Sequence, residues 1–329
     1  SETLNGNNNQ ILQLAGSSLT LNGNGESDAL FGNSSNVNVV GSNDTVEVTS
    51  GSTNTLTAHG ANNVLKSDAG SNTLIAVANS VTLLGGSGSD ILQGGGNNEV
   101  MTAGSGANTL IAYGSASTLT AGSGADILTG SGQNDVLIGG GGNSTLTSYG
   151  ANSTLVGGAG TSVLIASGAG DVLLGGSGQN TLTALGSNET LTGGSGTSTL
   201  VGNVNGNTLK AGTGTTVASY SANNLALNLV NGTASVSGGT VSDQLVGITR
   251  AIVSGNNNQL TTPGGGTLEV VQGSGNILIA NGAGAVLRSD SGSNTLEALN
   301  GGDTLFGGSG ADILQGGGNN DVLTAGSGA

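Results

Sequence analysis

A large apolar residue returns at every ninth position through the middle of the chain. Between Gly85 and Lys210 the sequence divides into fourteen nine-residue units without a slip in register. Position 8 is Leu in thirteen of these units and Met101 in the other. Positions 7 and 9 are mostly Thr, Val or Ile, and positions 1 to 6 are rich in Gly, Ser, Ala and Asn. Each unit is therefore predicted to form a Gly-rich turn followed by a short strand.

Alternation along a strand determines which of these residues face the interior. Position 8 points to one side of the strand, and positions 7 and 9 point to the other. If two units form one coil, residues 18 apart in sequence lie over one another, about 4.8 Å apart. We predict an all-β fold, a parallel β-roll or β-solenoid with a right-handed course. Columns of Leu fill its narrow core, and the turns line its two edges.

The nine-residue register also divides the chain. Residues 1–210 are predicted to form one β-roll, which is regular from residue 49 and interrupted before it. The earlier units are Asn5–Gln13, Leu14–Asn22 and, after a one-residue insertion, Gly23–Phe31.

The period is lost in residues 211–252. Alternating Leu225, Leu227 and Leu229 predict an inserted, irregular β segment there, and a decayed stretch of roll is the alternative. Residues 253–329 form a second block that repeats residues 31–107 at an offset of 222. Residues 86–107 and 308–329 differ at only three of 22 positions, so we expect the chain to be a fragment of a long, tandemly duplicated protein.

The amino-acid composition excludes several classes of function. The net charge is −15 with only four basic residues, so we expect no nucleic-acid partner and no attraction to anionic membranes. No apolar run is long enough to span a bilayer, so membrane insertion is not expected. The chain has no Cys, which fits an extracellular protein built without disulfides. Aromatic residues make up only 2% of the chain, which agrees with a thin core.

The nonapeptide resembles the RTX, or haemolysin-type calcium-binding, repeat, which reads GGxGxD followed by x, a large apolar residue and x. The units closest to that pattern are Gly85–Gln93, Ala121–Thr129, Gly307–Gln315 and Gly316–Thr324. The irregular segment resembles the family's inter-block segment at Asp243, Leu245, Gly247 and Ile248 and departs from it at Thr249 and Arg250. The resemblance implies a β-roll, secretion and Ca²⁺ held by backbone carbonyls and the acidic residue at position 6.

Most position 6 residues here are Asn or Ser, so the resemblance implies calcium at only a minority of turns. Two pairs place carboxylates one coil apart, where a cation would relieve their repulsion; the alternatives are a pair splayed into solvent or a single raised pKa. These pairs are Asp171 with Glu189 and Asp303 with Asp321; the weaker candidates are Asp90, Asp126, Asp135 and Asp312. Stacked Asn and Ser are predicted to form hydrogen-bonded ladders instead, so that a chelator does not unfold the roll.

No residues are grouped as a catalytic or cofactor-binding site would require. The only histidine, His59, falls at a turn, and the acidic residues are periodic rather than paired for acid–base chemistry. We therefore expect no enzymatic activity. Tyr113 and Tyr149 share position 2 of their units, two coils apart, and could stack on sugar rings; ordinary surface residues are the alternative. Thr-Leu-Thr units resemble ice-binding arrays, although neither face is a continuous Thr array.

These features favour a structural extracellular protein that forms a rod or filament, as in a surface layer, a biofilm matrix or an adhesin stalk. Exposed strand edges and apolar outward residues predict self-association, end to end or side by side. A cell-surface polysaccharide is a further candidate partner. The alternatives are a calcium-dependent adhesin or ice-binding section and a non-catalytic RTX domain that assists the folding and type I secretion of a larger toxin or enzyme.

Overall fold

The computed structural model describes residues 2–4, 12–237, 239 and 242–328. All the regular secondary structure in these residues is β-strand, which confirms the predicted all-β class. No helix in the described part of the chain could cross a membrane. The chain forms two compact units, Ser1–Asn180 and Thr181–Ala329. The unit predicted at Asn5–Gln13 lies outside the described residues except for its last two positions.

The first unit is a parallel β-solenoid, in which successive strands alternate between two sheets. We call them the odd sheet and the even sheet of this unit. The odd sheet contains β1 (Glu2–Leu4), β3 (Ser18–Leu21), β5 (Asn36–Val39), β7 (Thr55–Ala58), β9 (Thr73–Ala76), β11 (Ile91–Gly94), β13 (Thr109–Ala112), β15 (Asp126–Gly130), β17 (Ser144–Ser148) and β19 (Ser162–Ala166). The even sheet contains β2 (Leu12–Ala15), β4 (Ser27–Asn33), β6 (Thr45–Ser50), β8 (Val64–Ser67), β10 (Thr82–Leu84), β12 (Val100–Thr102), β14 (Thr118–Thr120), β16 (Val136–Ile138), β18 (Thr154–Val156) and β20 (Val172–Leu174).

Each strand of the first unit pairs in parallel with the strand one coil away. Leu92 lies beside Leu110, and Leu110 beside Leu128, at the predicted spacing of 18 residues. These Leu side chains are fully buried. In β17 the side chains at Ser144, Leu146 and Ser148 are buried, and the two Thr between them are half-buried. Positions 6 and 8 of the repeat therefore both face the interior, and positions 7 and 9 face outward as predicted.

The two edges of the first unit have different turns. At the turns that lead from the even sheet to the odd sheet, the backbone stacks tightly from coil to coil. The N–H of Ser105 donates to the carbonyl of Gly86 over 2.9 Å, and a Cβ atom added to Gly122 would lie 1.6 Å from the carbonyl oxygen of Gly104. At the opposite edge, residues such as Asn98 and Asn134 adopt left-handed backbone angles, with φ of 59° and 60°. Asn tolerates this conformation better than most residues.

The second unit contains β22 to β37, and β21 (Asn180–Ala184) begins at the last residue of the first unit. One sheet of the second unit follows the order β23 (Ser198–Gly202), β25 (Thr216–Ser221), β29 (Arg250–Ser254), β31 (Thr267–Gln272), β33 (Val286–Ser289), β35 (Thr304–Phe306) and β37 (Val322–Thr324). The other follows the order β22 (Thr190–Thr192), β24 (Thr208–Lys210), β28 (Ser242–Val246), β27 (Thr233–Val236), β26 (Leu225–Asn228), β30 (Gln259–Thr262), β32 (Ile277–Ala280), β34 (Thr295–Ala298) and β36 (Ile313–Gln315).

In residues 211–252, where the nine-residue period is lost, the strand direction changes in one sheet. β26 pairs antiparallel with β27, and β27 pairs antiparallel with β28, whereas β25 pairs in parallel with β29 in the other sheet. The half-buried strand predicted from alternating Leu is β26, in which Leu225 and Leu227 face the core. One sheet thus gains two strands, β27 and β28, that have no counterpart in the other.

Asp243 joins this irregular segment to the regular coils of the second unit. Its carboxylate is fully buried and accepts the N–H groups of Val204, Asn205 and Asn207 over 2.8–3.1 Å. It also accepts the hydroxyl of buried Tyr220 over 2.9 Å. The side chain of Asp243 therefore supplies the acceptor that the next regular coil would otherwise provide to Asn207.

Tight stacking at the turns predicts a contrast between two glycines of the first unit. Gly122→Ala should lower the free energy of unfolding by about 1–3 kcal/mol, because the added methyl group collides with the Gly104 carbonyl. Gly141→Ala should have little effect, since nothing lies within 4 Å of its added Cβ. Urea denaturation followed by circular dichroism measures both. Equal stability of the two variants would contradict the stacking described here.

Asp243 should be among the most sensitive polar residues of the second unit. Asp243→Ala leaves the buried N–H of Asn207, two partly buried N–H groups and a buried hydroxyl without an acceptor, which should cost about 3 kcal/mol. Gln244→Ala removes the neighbouring exposed side chain and serves as the matched control. Thermal melting should show a clearly lower midpoint for Asp243→Ala alone; similar midpoints would rule out the anchoring role.

Candidate cation sites along the turns

The position 6 side chains of the first unit form two buried columns, one beside each edge. The first column contains Asn54, Asn72, Asp90, Asn108, Asp126, Ser144 and Ser162, and the second contains Asn63, Val81, Glu99, Ser117, Asp135, Ser153 and Asp171. Both columns face the interior, because position 6 and position 8 point to the same side of the strand.

The first column is a hydrogen-bonded ladder between coils. The backbone N–H of Asn72 donates to Oδ1 of Asp90, that of Asp90 to Oδ1 of Asn108, and that of Asn108 to Oδ1 of Asp126, each over 2.8 Å. The second oxygens of Asp90 and Asp126 accept the N–H groups of Gly86 and Gly122 over 3.0 and 2.8 Å. The predicted ladder of stacked side chains is thus present from Asn54 to Asp126, and both oxygens of each Asp in it have N–H donors. Beyond it, the N–H groups of Asp126 and Ser144 donate to the backbone carbonyls of Asn143 and Thr161 instead.

The second column leaves part of each carboxylate without a partner. Asp135 Oδ1 accepts the N–H of Ser117 over 2.9 Å, and Asp171 Oδ1 accepts that of Ser153 over 2.7 Å. Glu99 Oε1 accepts the N–H of Gly96 over 2.9 Å. The remaining oxygens, Glu99 Oε2, Asp135 Oδ2 and Asp171 Oδ2, are buried and make no hydrogen bond of normal geometry. The Glu99 carboxylate packs so closely on Gly94 that a Cβ there would lie 1.6 Å from Oε2.

Burial shifts the ionisation of the second column. Removal from water raises the pKa of Glu99 to about 7. The hydrogen bond from the N–H of Gly96 lowers this pKa, and the negative charge of Asp135 raises it by a smaller amount. Burial likewise raises the pKa of Asp135 and of Asp171, although backbone N–H groups oppose both shifts. The protonated forms of these acids are therefore favoured by the fold.

The predicted pair Asp303 and Asp321 is brought together in the second unit. The backbone N–H of Asp303 donates to Oδ1 of Asp321 over 3.0 Å, and Asp303 Oδ1 accepts the N–H of Ala285 over 2.7 Å. Oδ2 of Asp303 is buried and has no donor. Asp312 resembles the first column, because Asn294 N–H and Ser289 hydroxyl bind Oδ1 and Gly308 N–H binds Oδ2. The backbone of Asp303 thus binds the carboxylate of Asp321, while the Asp303 carboxylate binds the preceding coil, and cation binding by the pair stays a prediction.

The other predicted pair is divided between the two compact units. Asp171 belongs to the first unit and Glu189 to the second. In the second unit, Glu189 Oε1 accepts the N–H of Gly186 over 3.0 Å, and its own N–H donates to Asn207 Oδ1 over 2.8 Å. Their pairing around a cation stays a prediction.

A third group of buried acids was missed in the sequence. The interpretation of Gly23–Phe31 placed Asp28 at position 6, whereas the structure places Glu26 there, with its N–H donating to Asp44 Oδ1 over 3.0 Å. Asp28 lies in register with Val46 and so occupies the apolar column. Both oxygens of Glu26, both of Asp28 and Oδ2 of Asp44 are buried without a hydrogen bond. Burial, with the charges of Glu26 and Asp44, raises the pKa of Asp28 to about 6. The sequence signal that could have indicated this group is the spacing of Glu26 and Asp28, two acidic residues two positions apart.

The donor sets differ in how well they suit calcium, which takes six to eight oxygens. Asp90, Asp126, Asp312 and Asp321 fit less well, because N–H groups already bind both oxygens of each. The unpartnered oxygens of Asp135, Asp171, Asp303 and the Glu26–Asp28–Asp44 cluster are chemically suitable anionic donors. Among the described residues, however, no three acidic or histidine side chains converge closely enough to hold a metal ion.

These buried acids predict an unusual pH dependence. An acid whose pKa is higher in the folded state stabilises the fold at low pH, and that contribution is lost as pH rises from the unfolded value to the folded one. For Glu99 the window runs from 4.5 to about 7, and the effect is on the order of 3 kcal/mol. In a chelating buffer, the melting temperature should be higher at about pH 5 than at about pH 8.

Glu99→Gln is the variant that tests the source of this dependence. The amide retains an acceptor for Gly96 and cannot ionise, so the variant should melt higher than the wild type above pH 7 and show a smaller pH dependence. Glu297→Gln, at an outward strand position, is the control. A wild-type melting temperature that rises with pH, or an unchanged dependence in Glu99→Gln, would contradict the assignment.

The family comparison agrees with this architecture. The model of the RTX calcium-binding nonapeptide repeat (4 copies) matches residues 82–110, 112–146, 148–182, 165–200 and 297–329. No curated protein sequence matches the chain significantly. RTX repeats are generally calcium-binding, and here many position 6 carboxylates have been replaced by Asn or Ser. The periodic Leu column, the parallel coils and these family matches together show that the chain carries RTX calcium-binding nonapeptide repeats, in a form degenerate at the calcium-ligand position.

Proposed function

We propose that this chain is a non-catalytic structural segment of an extracellular repeat protein that builds a rod or filament. A surface layer, a biofilm matrix and an adhesin stalk are examples of such a role. RTX repeat proteins are typically secreted by bacteria, which supports an extracellular location on the cell surface. The absence of Cys is compatible with it.

The observation that carries this proposal is the ladder of the first column. From Asn72 to Asp126, each amide or carboxylate in this ladder accepts the N–H of the neighbouring coil, as Asp126 does for Asn108. The coils are therefore joined at the turns by the protein's own acceptors, in addition to the strand pairing. Persistence without bound metal suits a permanent scaffold better than a calcium-triggered switch.

Calcium has a local role in this proposal. The acids with unpartnered oxygens are the places where a cation, or a proton, relieves a buried charge. Asp135, Asp171 and Asp303 are the proposed residues, together with Glu189 from the predicted pairs. Because the first-column acids Asp90 and Asp126 have N–H donors on both oxygens, calcium should adjust stability without controlling the fold.

The outward strand positions support side-by-side association. Ile91 and Ile127 of the odd sheet are 42% and 52% exposed, and Val100 of the even sheet is similarly exposed. Thr109 occupies the matching position of the coil between the two Ile residues. Apolar side chains repeated along a flat sheet are suited to burial against a second copy of the same sheet.

Electron microscopy and sedimentation of the purified chain test the proposal. Assemblies should form with calcium and persist, with the β-sheet circular dichroism spectrum, in excess chelator. The double variant Ile91→Thr, Ile127→Thr copies the residue of the neighbouring coil and should assemble several-fold less. Gln133→Thr, in an exposed turn, is the control. Monomers under all conditions, or complete unfolding in chelator, would contradict the proposal.

A further inference from the structure

A period of two coils, or 36 residues, is superimposed on the coil repeat of the first unit. In the even sheet, position 7 alternates between Val and Thr: Val64, Thr82, Val100, Thr118, Val136 and Thr154. In the second column, acids alternate with Ser from Glu99 to Asp171. Equivalent surface positions therefore recur at twice the strand spacing, about 9.6 Å.

The same period places large side chains in one row along an edge of this unit. The row occupies the first outward position after each strand of the odd sheet. Val40, His59 and Val77 occupy it on three successive coils, and from Val77 onward its large members, Val77, Tyr113 and Tyr149, alternate with small residues and are 54%, 58% and 61% exposed. Gly95 and Ser131 lie between them in the sequence of coils. The two tyrosine rings are thus separated by one coil with a small side chain.

The backbone beneath this row is held in sheet register. The N–H of Tyr113 donates to the carbonyl of Gly94 over 2.8 Å, and that of Tyr149 to the carbonyl of Gly130 over 2.9 Å. Ser131, between them, donates to Ala112 over 2.8 Å. The attachment points of the rings are therefore as regularly spaced as the strands, and little ordering is needed when a ligand binds.

A second row of polar side chains runs beside the first. Asn79 Oδ1 accepts the N–H of Asn97, and Asn97 Oδ1 accepts that of Ser115, both over 2.8 Å. Asn79 and Asn97 are exposed, and Ser115, whose Oγ accepts the N–H of Gln133 over 3.1 Å, continues the row on the coil of Tyr113. The edge therefore combines apolar faces with exposed hydrogen-bond donors at coil spacing.

The charge of this edge restricts what it can bind. The turns from Val77 to Ser80 and onward to Asn152 on this edge carry no exposed charged side chain, and the chain as a whole has a net charge of −15. Anionic polymers are repelled by such a protein, and an uncharged polymer is not. Sugar rings present apolar C–H faces for stacking on tyrosine and hydroxyl groups for amide donors.

We propose that this edge binds an extended, uncharged β-1,4-linked glucan chain, with Tyr113 and Tyr149 stacked on alternate sugar rings. In such a polymer each sugar ring is rotated by half a turn about the polymer axis relative to the previous ring, so every second ring presents the same face to the protein. One sugar ring spans about one strand spacing, so two rings correspond to two coils. On the coils between the large residues, the small side chains of Gly95 and Ser131 leave room for the sugar ring that presents its other face. This deepens the proposed structural role, on which it rests, by naming the polymer that the scaffold would hold.

The test is a pull-down of the full chain with microcrystalline cellulose, combined with tyrosine difference spectra on adding cello-oligosaccharides. The chain has no Trp and only three Tyr, of which Tyr220 is buried, so the spectra report on Tyr113 and Tyr149. Wild-type protein should be depleted from solution and show a tyrosine shift. Tyr113→Ala and Tyr149→Ala should each weaken binding by about fivefold to tenfold, as expected for the loss of one ring contact.

The deciding variant changes the spacing and keeps the composition. Ser131→Tyr with Tyr149→Ser retains two exposed tyrosines on the same edge and places them one coil apart. It should bind like the single Ala variants, whereas Ser105→Ala, in an exposed turn on the opposite edge, should bind like the wild type. Circular dichroism verifies that each variant is folded.

The inference fails if wild-type protein stays in solution with cellulose, if the spacing variant binds as tightly as wild type, or if anionic alginate competes as well as cello-oligosaccharides. Assembly is measured separately by sedimentation. A chain that assembles and ignores cellulose would overturn this inference alone, and a chain that binds cellulose as a monomer would overturn the proposed self-association alone.

Discussion

The spacing between parallel strands is the constraint on which each solenoid unit depends. In the regular coils it places each residue over the one 18 positions away, so a side chain that suits one coil must also suit its neighbours. Within strands the backbone groups pair directly, as Leu92 and Leu110 do, but at the turns the N–H of position 6 points at a side chain. Asn, Asp and Ser at that position supply the acceptor. Gly122 and the glycines at the same position of other coils have no Cβ atom, so the backbones of successive turns can approach one another closely.

The same geometry explains why acids in the two columns behave differently. At the glycine-rich edge, a second N–H reaches the carboxylate, as Gly86 does for Asp90, so the charge has donors on both oxygens. At the other edge the backbone enters a left-handed residue before position 6, and one oxygen of Asp135 remains buried without a donor. A buried charge without donors is costly, so a proton or cation is favoured there. Sequence position alone does not distinguish these environments.

The irregular segment shows how a regular stack accommodates an insertion. Two antiparallel pairings add strands to one sheet of the second unit, and the parallel pairing of β25 with β29 is kept in the other. Asp243 makes this compatible with the ladder, because its carboxylate gives Asn207 the acceptor that would otherwise lie 18 residues on. Tyr220, in a chain with very few aromatic residues, fills the core beside it.

The sequence by itself determined the all-β class, the coil of two nonapeptides, the Leu column and the ladder of Asn and Ser, because a strict period leaves one way to stack the units. It also located the irregular segment, where the period is lost. Only the tertiary structure decided which carboxylate oxygens have donors, because that depends on turn geometry in neighbouring coils. It alone placed Asp28 in the apolar column and Asp243 in the ladder, because an insertion changes the register without changing the residue type. It also showed that, in the predicted pair Asp303 and Asp321, the backbone N–H of Asp303 binds the carboxylate of Asp321.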